Sequence, residues 1–250
     1  MTYIGLPFVH RVDRVGDNCG IISRGAVAVS DDRALWMGPH GFYAWTGAGV
    51  SPVPCEIHDY VFNDLNATQR SKFWAKTNAQ DNEAEFHYCS SSSTEIDRCV
   101  VYNYEEDHWT IRPSVARLSG VDRGGVFVNP IMATSTGYLY DHETGYSWGG
   151  NTPFLESGPI ELGTGERTMK IRKLIVDEKT QGDVDVYFKT REWPGDSETT
   201  SAAFSTATNF APVHLAARAV RLRFNFTEAA ASRLGVIKLD LLPGSKRLAA

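Results

Sequence analysis

The stretch Asp97-Arg-Cys-Val-Val-Tyr-Asn-Tyr-Glu-Glu-Asp-His-Trp109 decides the fold class of this chain. Side chains two positions apart point to the same face of a β-strand, so Tyr102 and Tyr104 share one face. The acidic residues after Tyr104 are typical of a polar turn, and a second strand restarts at Trp109. The stretch therefore predicts a β-hairpin with an aromatic face.

Two looser copies of this unit lie before and after it. Each carries two aromatic residues at strand spacing, beside turn residues: Tyr43 and Trp45 in 41–47, Tyr138 and Tyr140 in 137–143. Three aromatic strand–turn–strand units indicate an irregular repeat of small sheets. A large exposed apolar patch marks an interaction surface, so the aromatic residues of all three units are candidate interface residues.

Residues 26–55 have the rhythm of one propeller blade. They contain four short apolar runs divided by turn residues: Ala26–Val29, Ala34–Met37, Phe42–Trp45 and Val50–Cys55. Four short strands in about thirty residues are typical of a blade. Pro52 and Pro54 interrupt the fourth run, which predicts that it lies at a sheet edge, where no backbone donor is needed.

Residues 59–142 predict a short helical segment and two further sheets. Asp59–Ser71 has helical spacing for one or two turns. Five segments are predicted strands: Lys72–Thr77, Glu83–Cys89 and Arg98–Tyr104 in one sheet, then Val126–Ile131 and Gly137–His142 in a smaller third sheet. If the second and third of these strands pair about Thr94, Cys89 and Cys99 lie opposite each other.

Residues 151–250 show longer and cleaner strands. Three segments alternate apolar with polar side chains: Asp183–Lys189, Ala219–Phe226 and Val236–Leu241. Met169 and Ile171 fall out of phase with Leu174, which predicts a β-bulge near Arg172 and Lys173. Long strands with one apolar face are what a two-sheet sandwich needs.

The charge distribution divides the chain in the same way. The net charge is −5, but residues 1–150 hold 11 basic and 18 acidic residues (net −7), whereas residues 151–250 hold 14 and 12 (net +2). This reversal predicts two domains with a boundary at Gly149–Pro153. The predicted fold class is all-β, with incomplete propeller-like blades in 1–150 followed by a C-terminal β-sandwich in 151–250.

Several general features limit where the chain works. No stretch approaches the roughly 20 apolar residues of a membrane helix, so no membrane insertion is expected. Residues 1–10 lack the basic-then-apolar pattern of an export signal. The cysteines form no C-x-x-C pair, and in a chain this long we expect free thiols rather than a disulfide framework: Cys19, Cys55, Cys89 and Cys99.

Motifs for catalysis are sparse. The seven histidines are dispersed, and none lies beside a plausible nucleophile. Asp141–Glu143 could bind a metal, but a polar hairpin tip explains it better, because no second ligand cluster has matching spacing. Glu83 with Glu85, or Glu105–Asp107, could be a glycosidase carboxylate pair, although a solvated strand face and hairpin tip account for them. We therefore expect no enzyme, no cofactor and no metal.

Basic residues are concentrated near the end of the sequence: Arg218, Arg221, Arg223, Arg233, Lys238, Lys246 and Arg247. Such a set can contact nucleic acid. A solvated sheet face, or a surface that meets an acidic partner, is the alternative, because we expect no exposed aromatic residues to be interleaved here that could stack on bases. Arg221 and Arg223 are candidate interface residues.

Several short segments together resemble one family. They are Cys19–Ser23, Leu35–Tyr43, Pro52–Ile57, Asp59–Asn66, Val100–Tyr104 with Trp109, Gly137–Glu143, Arg221–Phe226, Arg233–Asp240 and Pro243–Arg247. The chain resembles the C-terminal part of bacteriophage tail proteins of the packaged-DNA stabilisation or tail-nozzle type, found in short-tailed phages. The resemblance extends over nearly the whole chain, and none of its motifs is a catalytic signature.

This resemblance implies a structural virion protein. Such proteins form rings, here of six or twelve copies, that contact portal, adaptor or other tail proteins. They extend the DNA channel and retain packaged double-stranded DNA through transient, non-specific contacts. The implied location is the virion tail, with assembly in the host cytoplasm. The chain departs from the family in its blades, because three units of about 40–45 residues cannot close a propeller.

Two other classes of function remain open from the sequence. One is a carbohydrate-binding propeller or sandwich, in which exposed tyrosine and tryptophan rings stack on sugars. The other is a propeller glycosidase that uses Glu83 or Glu105. Binding of glycans without turnover favours the first, and glycan cleavage that depends on these residues favours the second.

Overall fold

The computed structural model describes residues 2–3, 5–7, 9–11, 14–146, 148, 151–177, 182–207, 210–227 and 231–246. The chain is all-β, as predicted, and forms several antiparallel sheets. It divides into two compact units, Met1–Thr144 and Gly145–Ala250, each with its own hydrophobic core. This division lies a few residues before the expected linker, in which Gly149 and Gly150 are outside the described residues. No described helix is long and apolar enough to cross a membrane.

The first unit begins with a small hairpin and a four-stranded sheet. The hairpin consists of β1 (Thr2–Tyr3) and β2 (His10–Arg11). The first sheet contains β3 (Val27–Val29), β4 (Ala34–Met37), β5 (Phe42–Trp45) and β6 (Val50–Val53), in sequential order. These are the four predicted strands, and Pro52 lies in the edge strand β6, where a missing backbone donor is tolerated.

A short helical connection leads to the second and third sheets. It consists of α1 (His58–Phe62) and a 3-10 helix (Ala67–Lys72), as predicted. The second sheet contains β7 (Trp74–Asn78), β8 (Glu83–Tyr88), β9 (Arg98–Asn103) and β10 (His108–Pro113). The third sheet has three strands, β11 (Ser119–Val121), β12 (Ile131–Ala133) and β13 (Leu139–Asp141). All three sheets are antiparallel meanders.

One predicted strand of the third sheet is wrong. Val126 and Val128 lie exposed in the loop between β11 and β12, and pairing starts only at Ile131. Pro130 explains the late start, because proline cannot donate a hydrogen bond to the sheet. The third sheet is therefore smaller than the other two, and it keeps an apolar loop at its surface.

The first and second sheets pack face to face like neighbouring blades. Because side chains alternate between the two faces of a strand, Leu35 and Phe42 of the first sheet point toward Phe86 and Val100 of the second. All four side chains are buried. The ring of Phe42 lies 5.0 Å from that of Phe86, between ring centroids. The first strands of both sheets are also adjacent, since the Ala75 backbone N–H donates to the Gly25 carbonyl oxygen at 2.7 Å. This arrangement matches the predicted blade-like sheets.

The pairing of β8 with β9 differs from the expected register. His87 lies opposite Cys99, whereas Cys89 follows the end of β8 and packs in the core. The loop is closed by Asp97, whose carboxylate accepts hydrogen bonds from the Ser90 backbone N–H at 2.8 Å and hydroxyl at 2.7 Å. These bonds end the hairpin before Cys89 can pair. All four cysteines are free thiols.

The second unit is a two-sheet sandwich. Its strands are β14 (Phe154–Glu156), β15 (Ile160–Glu161), β16 (Arg167–Val176), β17 (Val184–Arg191), β18 (Thr199–Thr200), β19 (Phe204–Ser205), β20 (Phe210–Ala217), β21 (Ala219–Phe226) and β22 (Ile237–Lys246). One sheet has the order β14-β21-β17-β18, with β15 beside β21 and β19 beside β17. The other has the order β20-β16-β22.

The core of the sandwich follows the predicted alternation. Val184, Val186 and Phe188 of β17 are fully buried and face side chains of the opposite sheet. The register of β16 shifts between Ile171 and Lys173 against both of its neighbours, which confirms the predicted bulge. Because of this shift, Met169 and Ile171 before the irregularity and Leu174 after it are all buried.

Candidate functional site

A cluster of polar side chains lies on the face of the second sheet that is turned toward the third. The strand register places them in two adjacent rows: Trp74, His87, Cys99 and Arg112 in one, Lys76 and Glu85 in the other. Because strand residues alternate between faces, each row crosses the sheet from one strand to the next. The cluster thus results from pairing of distant segments.

Glu85 is the centre of the cluster and is 0% exposed. Its Oε1 atom accepts hydrogen bonds from Lys76 Nζ at 3.0 Å and Arg112 Nη1 at 3.1 Å. Its Oε2 atom lies 3.3 Å from His87 Nε2. Burial alone would raise the pKa of Glu85, but the hydrogen bond to His87 and the charges of Arg112 and Lys76 outweigh burial and lower that pKa.

The structure thus corrects the interpretation of Glu85 as part of a solvated strand face. Glu83 and Glu85 do share a face, and Arg112 binds both, since its Nη2 atom lies 3.1 Å from Glu83 Oε2. Burial raises the pKa of Glu83, whereas that of Glu85 is lowered. The carboxylate of Glu85 is fully buried, so solvent does not reach it.

Glu85, His87 and Cys99 also form the one group of described residues with the donor types and spacing of a metal site. Their candidate ligand atoms lie within 4.8 Å of one another, and Cys99 Sγ is 3.6 Å from His87 Nε2. Zinc takes such donors. A sequence signal exists only for Glu85 and His87, which are two positions apart in one strand; Cys99 joins them through the strand register.

Three observations argue against a metal in this group. Lys76 and Arg112 already bind the Glu85 carboxylate. The Nδ1 atom of His87 has no described hydrogen-bond partner, whereas a metal-binding histidine is normally oriented through its second nitrogen. Burial raises the pKa of Cys99, which favours the thiol over the thiolate that a metal requires. The group fits a buried ion-pair network better.

This network joins the second sheet to the third. The Trp74 indole N–H donates to the Arg117 carbonyl oxygen at 2.9 Å, and Arg112 lies 3.8 Å from a Glu143 carboxylate oxygen. Arg117 Nε in turn donates to His142 Nε2 at 2.9 Å. Burial and the charge of Arg117 lower the pKa of His142 to about 4, so the ring is neutral and can accept this bond. Within the Asp141–Glu143 motif, His142 and Glu143 therefore bind arginines of the same unit.

The predicted aromatic residues of the first sheet are partly covered. The ring of Tyr43 stacks on Trp36 at 5.9 Å between centroids, and its hydroxyl donates to the Asn18 carbonyl oxygen at 3.0 Å. Trp45 lies on the same face and is 38% exposed. Trp45 is thus the more accessible of the two candidates.

The aromatic pair of the second sheet differs from the expected exposed face. Tyr102 is buried, stacks on Trp109 at 4.8 Å between centroids, and donates its hydroxyl to Asp107 Oδ1 at 2.7 Å. Burial and Asp107 raise the pKa of Tyr102 to about 12. Tyr104 is partly buried beneath the guanidinium of Arg33, 4.8 Å from the ring centroid. Tyr102 is a core residue because the first sheet packs on its face.

The aromatic pair of the third sheet is exposed. Tyr138 and Tyr140 lie with ring centroids 6.4 Å apart, and Arg117 lies 5.2 Å above the ring of Tyr140. Tyr140 shares its strand row with Met132, which is buried against the second sheet. The intervening Leu139 therefore points to the opposite, outer face.

Arg221 and Arg223 lie on β21 in the second unit and are held by internal ion pairs. Both contact the carboxylate of Glu156, Arg223 at 3.6 Å, and Lys189 Nζ binds the same carboxylate at 2.7 Å. Burial alone would raise the pKa of Glu156, but Lys189 and the two arginines lower it. Arg221 also pairs with Glu198 at 3.1 Å. Both arginines therefore have acidic partners within the unit, and Arg247 of the predicted basic set lies outside the described residues.

No model of a protein family matches the chain, and a search of curated proteins finds no match.

Proposed function

We propose that the chain is a structural subunit of a bacteriophage tail, of the nozzle or connector type, that assembles into a ring around the DNA channel. The observation that carries this proposal is the open stack of three blade-like sheets in the first unit. A propeller needs at least four blades to close, so such a stack leaves its two end faces for other contacts. The sequence resemblance to tail proteins supports the same role.

The charge distribution agrees with a DNA conduit. Each phosphate neutralised by lysine or arginine adds affinity, so a channel that must release DNA benefits from few free cations in its lining. Residues 1–150 have net charge −7 and suit a lining that makes only transient, non-specific contact with double-stranded DNA. Residues 151–250, with net charge +2, suit a face that docks on a portal, adaptor or other tail protein. We expect six or twelve copies by resemblance.

The test is disruption of the gene in the phage that encodes the chain. We expect particles that package DNA but lose it, and complementation that restores both DNA retention and the chain in the purified tail. Mass spectrometry of intact virions should detect several copies of the chain per particle. Virions that lack the chain, or a disrupted phage with normal DNA retention, would contradict the proposal.

Carbohydrate binding is a second candidate function, because the third sheet has exposed aromatic rings. Tyr138 and Tyr140 present accessible rings, and such rings can stack on sugar faces. A glycan panel distinguishes the two functions. Binding that is lost in Tyr138→Ala, with no cleavage of the bound glycan, would favour this candidate over the virion role.

A further inference from the structure

The third sheet carries exposed apolar side chains on the face turned away from the second sheet. Its strand register puts Val121 and Ile131 in one outward row and Ala133 and Leu139 in the next. Val121 is 52% exposed and Leu139 is 72% exposed. These four residues are named the trailing face. A contiguous apolar face of this kind on a sheet marks a contact surface.

The other two sheets show what normally covers such a face. The first sheet packs the face that carries Phe42 on the second sheet, and the second sheet packs the face that carries Trp74 on the third. In each case a face of one sheet is covered by the sheet that follows it in the chain. The trailing face occupies the equivalent position on the third sheet.

The first sheet exposes an apolar row at the opposite end of the stack. Val29, Ala34, Trp45 and Val50 lie side by side across its four strands, on the side turned away from the second sheet, and Gly16 lies close to Val50 at one end of this row. Val29 is 62% exposed and Trp45 is 38% exposed. These four residues are named the leading face. The two faces thus mark the two ends of one stack of sheets.

We propose that the trailing face of one copy packs on the leading face of the next copy, so that the stacking of sheets continues from subunit to subunit. The two contacts inside the unit supply the pattern, because the first sheet packs on the second and the second on the third. The occupant is therefore a second copy of this chain, whose first sheet takes the place of a fourth blade.

This contact joins two different faces and is heterologous. A heterologous contact that closes on itself generates a ring, whereas one that does not close generates a filament. Closure of this contact into a ring rests on the proposed function. The contact itself requires only the two apolar faces. The leading face contains no charged residue. Beside the trailing face, Asp141 continues the row of Val121 and Ile131, and Ser119 continues the row of Ala133 and Leu139, each on an edge strand.

The experiment uses the full chain and one blocking substitution on each face. Leu139→Arg blocks the trailing face and Val29→Arg blocks the leading face; both positions are exposed, so folding is expected to be retained and is checked by circular dichroism. Val236→Arg, the same change at an exposed valine of the second unit, is the matched control. Assembly is measured by sedimentation velocity over a range of concentrations up to the solubility limit.

We expect the unmodified chain and Val236→Arg to form the same oligomers, and each blocked variant to be monomeric alone. An equimolar mixture of the two blocked variants should form a dimer, because one intact leading face and one intact trailing face remain to meet. An unmodified chain that is monomeric throughout, a Val29→Arg variant that still assembles, or a mixture that stays monomeric would overturn the contact.

These results are independent of the virion test. A chain that assembles through the two faces but is missing from virions contradicts the proposed function alone. A virion that incorporates the Leu139→Arg chain at the normal copy number contradicts the contact alone.

Discussion

Replacing Glu85 by glutamine tests the buried ion-pair network. The substitution keeps the shape of the side chain but removes the charge that pairs with Lys76 Nζ at 3.0 Å and Arg112 Nη1 at 3.1 Å. Removing one partner of a buried ion pair costs roughly 3–5 kcal/mol, because the remaining charge stays desolvated. Arg112 is partly exposed and keeps Glu83 as a partner, so we expect a loss of about 3 kcal/mol in the free energy of unfolding.

This loss is measured in the first unit alone by urea unfolding that is monitored through hydrogen exchange of peptides from β7–β10. Glu95→Gln is the matched control, because Glu95 pairs with Lys72 at 2.6 Å on the surface. Exposed pairs contribute about 0–1 kcal/mol, so the control should lie close to the unmodified chain. Circular dichroism verifies that both variants have native sheet content at low urea.

The pH dependence gives a second, independent test. The pKa of Glu85 is lowered in the folded state, so its stabilising contribution is present above the unfolded pKa, near 4.5, and is lost as the pH falls through the folded pKa. Glu85→Gln lacks this contribution at every pH, and its deficit should therefore shrink in acid. A Glu85→Gln variant as stable as the Glu95→Gln control at neutral pH, or a deficit unchanged in acid, would refute the reasoning.

Three further predictions concern other parts of the chain. Phe188→Ala should destabilise the second unit by about 3–5 kcal/mol in urea unfolding, since the ring is fully buried in the sandwich; a loss below about 1 kcal/mol would contradict this packing. Thiol titration of denatured, unreduced protein should give four free thiols, and native Cys99 should react slowest because burial raises its pKa; fewer thiols would reveal a disulfide. Limited proteolysis should cut first near residues 145–153 and release a 151–250 piece that keeps its sheet content by circular dichroism, whereas a first cut within a sheet would argue against two units.

Much of the fold could be predicted because its strands carry local signals. Val184, Val186 and Phe188 alternate with polar residues, and all three are buried as that alternation requires. The first sheet was also predictable, because turn residues separate its strands. The bulge in β16 was visible as a phase change between Ile171 and Leu174.

The candidate site was less predictable, because it depends on which sheet covers which face. Glu85 carries the sequence pattern of a polar strand face, yet the third sheet covers that face and Lys76 and Arg112 compensate the charge. Tyr102 has the pattern of an exposed aromatic, yet the first sheet packs on it. Periodicity identifies the residues that share a face, but only the packing of distant segments decides whether solvent reaches them.

The bulge in β16 has a consequence for changes in chain length. Where β16 pairs with β22, the segment from Ile171 to Leu174 contains one residue more than the opposing segment from Leu241 to Leu239. Deletion of Arg172 would leave Ile171, Lys173 and Leu174 in simple alternation, so the apolar side chains would keep their direction along β22. Against β20 the mismatch is the opposite, because the segment from Ile171 to Leu174 contains one residue fewer than the matching segment from Leu215 to Ala211. A one-residue deletion in β16 would therefore remove the mismatch with β22 and enlarge the mismatch with β20, so this central strand cannot match both neighbours by a change in its own length.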